Sequence, residues 1–91
     1  MTTFEKDPQA VLDYSVDWTS FLESSEAITA SQWTVPTGIT LDLSGHTSKV
    51  ATAWLSGGTL GQSYELVNKI TTSNDPVRID ERTIIISIVY K

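Results

Sequence analysis

The chain has 91 residues, no cysteine and a formal net charge of −5. That length holds one thin core, and the missing thiols exclude disulfides and thiolate metal sites. The basic residues Lys6, Lys49, Lys69, Arg78, Arg82 and Lys91 are too scattered to form a phosphate-binding face.

At 40% hydrophobic and 19% charged, the composition is that of a globular protein. No apolar run approaches the length of a membrane helix and no signal-peptide pattern opens the chain, so a membrane is not expected as a partner, and the scattered basic residues make nucleic acid unexpected as well. Met1 to Asp7 is polar and charged and ends at Pro8. Residues 1–8 are therefore expected as a frayed lead-in to a domain over 9–91, with Phe4 as the apolar exception.

From Ala10 to Trp18 the apolar period is two. Leu12, Tyr14, Val16 and Trp18 share one face, and Asp13, Ser15 and Asp17 take the other, the pattern of a half-buried strand. The spacing of Trp18, Phe21 and Leu22 suits a single helical turn after it, and Glu23-Ser24-Ser25-Glu26 reads as a loop. Ala27 to Val35 forms the next strand, with Ile28 and Ala30 in one phase and Trp33 and Val35 in the other. A bulge near Ser31-Gln32 would reconcile the two phases, because one extra residue reverses the facing of everything after it. Pro36-Thr37-Gly38 supplies a turn. Ile39, Leu41 and Leu43 then share a new alternation, and Val50 to Leu55 sets Val50, Thr52 and Trp54 opposite Ala51, Ala53 and Leu55.

The glycine-rich turn Gly57-Gly58-Thr59-Leu60-Gly61 leads into the strongest strand, Ser63 to Thr72. Tyr64, Leu66, Asn68 and Ile70 lie on one of its faces, and Glu65, Val67, Lys69 and Thr71 on the other. After the loop Ser73-Asn74-Asp75-Pro76, the last strand, Thr83 to Tyr90, carries Ile84, Ile86, Ile88 and Tyr90 in one phase. Ile85 and Val89 occupy its other face, as in a strand covered on both sides. Six to seven short strands separated by turn residues, with no amphipathic helix, predict an all-β, antiparallel β-sandwich. Many immunoglobulin-like domains bond a tyrosine hydroxyl to nearby backbone at the start of the penultimate strand, where Tyr64 stands in Gly61-x-x-Tyr64. The expected shape is therefore immunoglobulin-like without the cysteine pair. The expected core is Tyr14, Trp33, Trp54, Tyr64, Leu66, Ile70, Ile84, Ile86 and Ile88.

The residues offer little chemistry. The single histidine, His46, sits in a Ser-Gly-His-Thr turn with no nucleophile elbow. Asp13 and Asp17 are about 13 Å apart along a strand, and Asp75, Asp80 and Glu81 lack the spacing of a calcium loop. Gly57 to Gly61 is followed by no Lys-Ser or Lys-Thr pair and opens a strand, so it is no phosphate cradle. No catalytic residue, metal site or cofactor is expected. Aromatic side chains remain as sugar platforms or protein anchors. Phe4, Trp18, Phe21 and Leu22 are the expected partner-binding residues, Trp18 because it ends a strand beside Phe21 and Leu22.

Taken together, several segments resemble a family of small proteins encoded in the structural-gene regions of tailed bacteriophages. They are Lys6-Asp7-Pro8, Ala10-Val11-Leu12-Asp13-Tyr14, Asp17-Trp18, the run from Trp33 to Leu41, the run from Ala53 to Thr59, Gly61-x-x-Tyr64, Ile70-Thr71-Thr72 and the run from Asp80 to Ile84. The resemblance covers most of the chain, and W-L-S-G-G-T-x-G-x-x-Y is its most specific part. The loop Asn74-Asp75-Pro76-Val77-Arg78 departs from the short Gly-Arg turn usual there. The resemblance implies a non-enzymatic virion component made in the host cytoplasm and multimeric on the particle. A capsid decoration or cement protein bound to the major capsid protein is the leading expectation; a neck or tail module and a surface glycan-binding module are the alternatives.

Overall fold

The computed structural model describes residues 2–90, and all seven regular elements in it are strands. They are β1 (Thr2–Lys6), β2 (Leu12–Asp17), β3 (Ile28–Thr34), β4 (Ile39–His46), β5 (Val50–Gly57), β6 (Ser63–Thr72) and β7 (Ile79–Ile88). One sheet has the order β1-β7-β6-β3 and the other β2-β5-β4. Apart from β1, this is the strand division of an immunoglobulin sandwich, in which the second, fifth and fourth strands oppose the third, sixth and seventh.

One expectation is corrected at the N-terminus. Residues 2–6 do not fray ahead of the fold but form β1, and β1 pairs parallel to β7, from Thr2 opposite Ile84 to Lys6 opposite Ile88. All other pairings are antiparallel. Alternation explains the docking: Thr2, Phe4 and Lys6 lie in the same phase as Ile84, Ile86 and Ile88, whose side chains enter the core. Met1 and Lys91, the outer limits of the expected lead-in and domain, lie outside the described residues.

The core forms between the inner faces of the sheets. β6 contributes Leu66, Asn68, Ile70 and Thr72, β7 contributes Ile84, Ile86 and Ile88, and β3 contributes Ile28 and Trp33. Tyr14, Val16, Ile39, Ala51, Ala53 and Leu55 face them from the other sheet. Tyr64 is half-buried against this cluster. The small alanines of β5 decide which of its faces turns inward. Sheets pack about 10 Å apart, and Trp18 and Trp33 already fill that layer, so β5 presents its small face inward and puts Trp54 outside. Trp54 was expected in the core; it is 40% exposed.

Two bulges set the remaining phases. In β3 the register shifts between Ile28 and Ala30, not near Ser31-Gln32. Thr29 is the extra residue, and its hydroxyl donates to Thr71 O at 3.2 Å. In β4 the register shifts between Leu41, opposite Leu55, and Leu43, opposite Trp54. The extra residue Asp42 thereby separates Leu41 from Leu43, which simple alternation places on one face, and turns Leu43 outward.

At one end of the sandwich the Tyr64 hydroxyl accepts the Thr59 N–H at 3.0 Å. Gly58 sits under this corner with φ +98°, and a Cβ there would meet Ile88 Cδ1 at 2.5 Å. Both the left-handed backbone and the close approach require glycine. Alongside, the buried Lys6 ammonium donates to Gly57 O at 2.7 Å and to Asp7 O at 2.9 Å. Burial pushes its pKa below 10.5, against the opposing fields of Asp7 and Asp42. Tyr64→Phe, which removes one hydrogen bond, is expected to cost about 1 kcal/mol in urea unfolding. Gly58→Ala, which adds strain and overpacking, is expected to cost more, about 1–3 kcal/mol.

Candidate partner-binding surface

The four residues expected to bind a partner are drawn into the fold to different degrees. Trp18 is completely buried, so it is a core residue and not a surface anchor. Its Nε1–H donates to Asn68 Oδ1 at 2.9 Å, and Asn68 Nδ2 donates onward to Ser31 Oγ at 2.9 Å and Gln32 O at 3.3 Å. Phe21 meets the Trp18 ring edge-on, with centroids 5.5 Å apart. Phe21 and Leu22 are half-buried because their N–H groups both turn back to Trp18 O, the single helical turn that their spacing suggests. Phe4 is also half-buried, packed on Tyr14 with centroids 5.3 Å apart. None of the four is a freely projecting side chain.

What surrounds Trp18 and Phe21 is a clasp between two loops. Glu26, fully buried, forms a salt bridge with Arg78: Arg78 Nε donates to Oε2 at 2.9 Å and Nη2 to Oε1. Arg78 Nη2 also donates to Phe21 O at 2.9 Å, and the guanidinium lies 4.2 Å over the Phe21 ring. Arg82 stacks on Trp18 in the same way at 4.3 Å and donates to Asp17 O at 3.1 Å. The β4–β5 turn joins through Trp18 N–H to Lys49 O and Ile28 N–H to Ser48 O, both at 2.9 Å. The loop Ser73 to Arg78 is therefore a clamp on the β2–β3 loop. Sequence reasoning missed this pair, because Glu26 and Arg78 lie 52 positions apart with no local pattern linking them.

Arg78's hydrogen bonds lower the Glu26 pKa from 4.5 to about 2, with help from Thr72 and the Glu23 N–H and against the cost of burial. Glu26 in turn raises the pKa of Arg78.

Val77 and Ile79, which flank Arg78, are exposed beside the clasp, and the other apolar side chains left outside are elsewhere. Trp54 and Leu43 stand opposite each other on the outer face of the β2-β5-β4 sheet, Leu43 65% exposed. Val11, Leu12, Leu60 and Tyr90 are exposed toward the Tyr64 end. An open groove of about 520 Å³ runs between Ser15–Asp17 of β2 and Arg82–Ile84 of β7. His46 is exposed, with Nδ1 2.9 Å from Thr47 O. Among the described residues no three His, Cys, Asp or Glu side chains converge as metal ligands.

Two packed sheets, clasped loops and a tyrosine corner define a β-sandwich of the immunoglobulin-like class, with apolar side chains on its exterior. A search of curated proteins gave no match. A family model does match, over residues 6–87: Gp77, described as podophage GP4 fiber-tail adaptor protein gp77. The chain belongs to this family and is a small bacteriophage virion structural protein.

Trp18→Ala is expected to cost about 3–5 kcal/mol from the lost ring, plus about 1–3 kcal/mol for the orphaned Asn68 amide. Measured by chemical denaturation, that approaches the whole stability of a typical small domain, about 5–15 kcal/mol. Acid stability follows from Glu26. Its folded pKa of about 2 lies below the ordinary 4.5, so its contribution is complete above pH 4.5 and is lost as pH falls toward 2. In Glu26→Gln the urea midpoint is expected to fall less steeply than in wild type across that window.

Proposed function

We propose that the protein is a non-enzymatic adaptor of the podophage tail, joining a tail fibre to the tail body. The observation that carries this reading is the family match, which runs from the end of β1 almost to the end of β7. The architecture supports it: an elongated body of 44 × 20 × 17 Å, with its end loops clasped, suits a rigid spacer between two larger proteins. The match supports the neck-or-tail alternative over capsid decoration, and with it tail and fibre proteins in place of the major capsid protein as partners.

Quantitative protein content of purified particles, before and after tail removal, tests the proposal. The protein is expected to leave with the tails, and particles lacking it are expected to have filled heads without fibres. Retention on tailless heads in high copy number would return the reading to shell decoration.

A further inference from the structure

We infer that the outer face of the β2-β5-β4 sheet, centred on Trp54 and Leu43, binds another protein of the virion through an apolar recess rimmed by lysine or arginine. The inference rests on the adaptor reading and deepens it by naming the contact surface. Trp54 lies outside because β5 turns its alanines inward, and Leu43 lies outside because the Asp42 bulge reverses its facing. Two independent local devices thus bring the two largest apolar side chains of this sheet's exterior to directly opposed positions. Bulges commonly re-aim a side chain beside a functional site. Tryptophan is among the side chains most enriched at the energetic centres of protein interfaces.

The charge around the pair selects the occupant. The positions paired across from β5 on this face are Asp13 beside Trp54, Ser15 beside Thr52, and Asp17 beside Val50. Ser15 and Thr52 hydroxyls bond each other at 2.9 Å, which confirms that this row points outward. Asp17 stays ionised: the Thr19 hydroxyl and N–H, both bonded to its Oδ1, hold its pKa below 3.8. Strands β2, β4 and β5 carry no lysine or arginine, and the nearby cations Lys49 and Arg82 act on Asp17, at the other end of the row from Asp13 and Trp54. Two copies meeting through this face would each bring the acidic Asp13 beside Trp54, on a chain of net charge −5. A basic-rimmed partner is matched by the same arrangement. The exposed indole with Leu43 beside it matches the aromatic and apolar anchors found at the centres of protein interfaces.

The test uses phage deleted for the gene and supplied with the full chain in trans. Trp54→Thr and Leu43→Thr keep β-forming residues at exposed positions, and Asp13→Lys reverses the charge without touching the core. Each is expected to reduce copies per tail about tenfold or more, while Glu65→Lys, on the outer face of the opposite sheet, incorporates as wild type. Rebinding of wild-type protein to depleted tails is expected to weaken as salt rises to about 0.5 M, whereas salt-independent rebinding would overturn the basic rim. Asp13→Lys assembling as wild type would overturn the surface even if the Trp54 variant failed to fold. A saturable shift of tryptophan fluorescence with host polysaccharide, lost in Trp54→Thr, would overturn it in favour of a glycan. Absence of the wild-type protein from tails would instead overturn the adaptor reading itself.

Discussion

The hydrogen bond from the Trp18 indole to Asn68 is the contact on which the rest of the sandwich depends. It joins the end of one sheet to an inner strand of the other through two side chains that water does not reach. A buried amide is costly unless all its groups are paired, and here each is, through Trp18, Ser31 and Gln32. The pairing fixes the position of Trp18. The indole then gives Phe21 and Arg82 a surface to pack on, and Trp18 O anchors the helical turn that leads to Glu26. A residue that looks like an exposed anchor in the sequence is thus the pivot of the interior.

Alternation made most of this architecture legible. Strands β2, β5 and β6 follow their period of two closely, and the tyrosine corner follows from Gly61-x-x-Tyr64. Period alone cannot say which face of β5 goes inward. That choice depends on the volume the opposite sheet already fills, a property of the pair of sheets. The alanines were the available signal, since a strand with Ala51 and Ala53 on one face and Trp54 on the other has a small side to offer a crowded interior.

The misplaced details share a cause. An extra residue is invisible until the partner strand is known, so the bulge in β3 was expected two residues late and that in β4 was not expected. β1 was hidden because its polar residues lie at a sheet edge, where only one side faces apolar neighbours. The Glu26–Arg78 clasp joins loops from distant parts of the chain, and no periodicity reports on such a contact. The outward pair Trp54 and Leu43 combines two of these effects and emerges only in three dimensions.

The parallel pairing of β1 with β7 has a mechanical consequence. Because the two strands run in the same direction, β1 begins at one end of the molecule and β7 finishes at the other. A pull that enters through the first and leaves through the second drags them past each other along their length. The rungs from Thr2–Ile84 to Lys6–Ile88 then carry the load together, instead of opening one at a time like a zip.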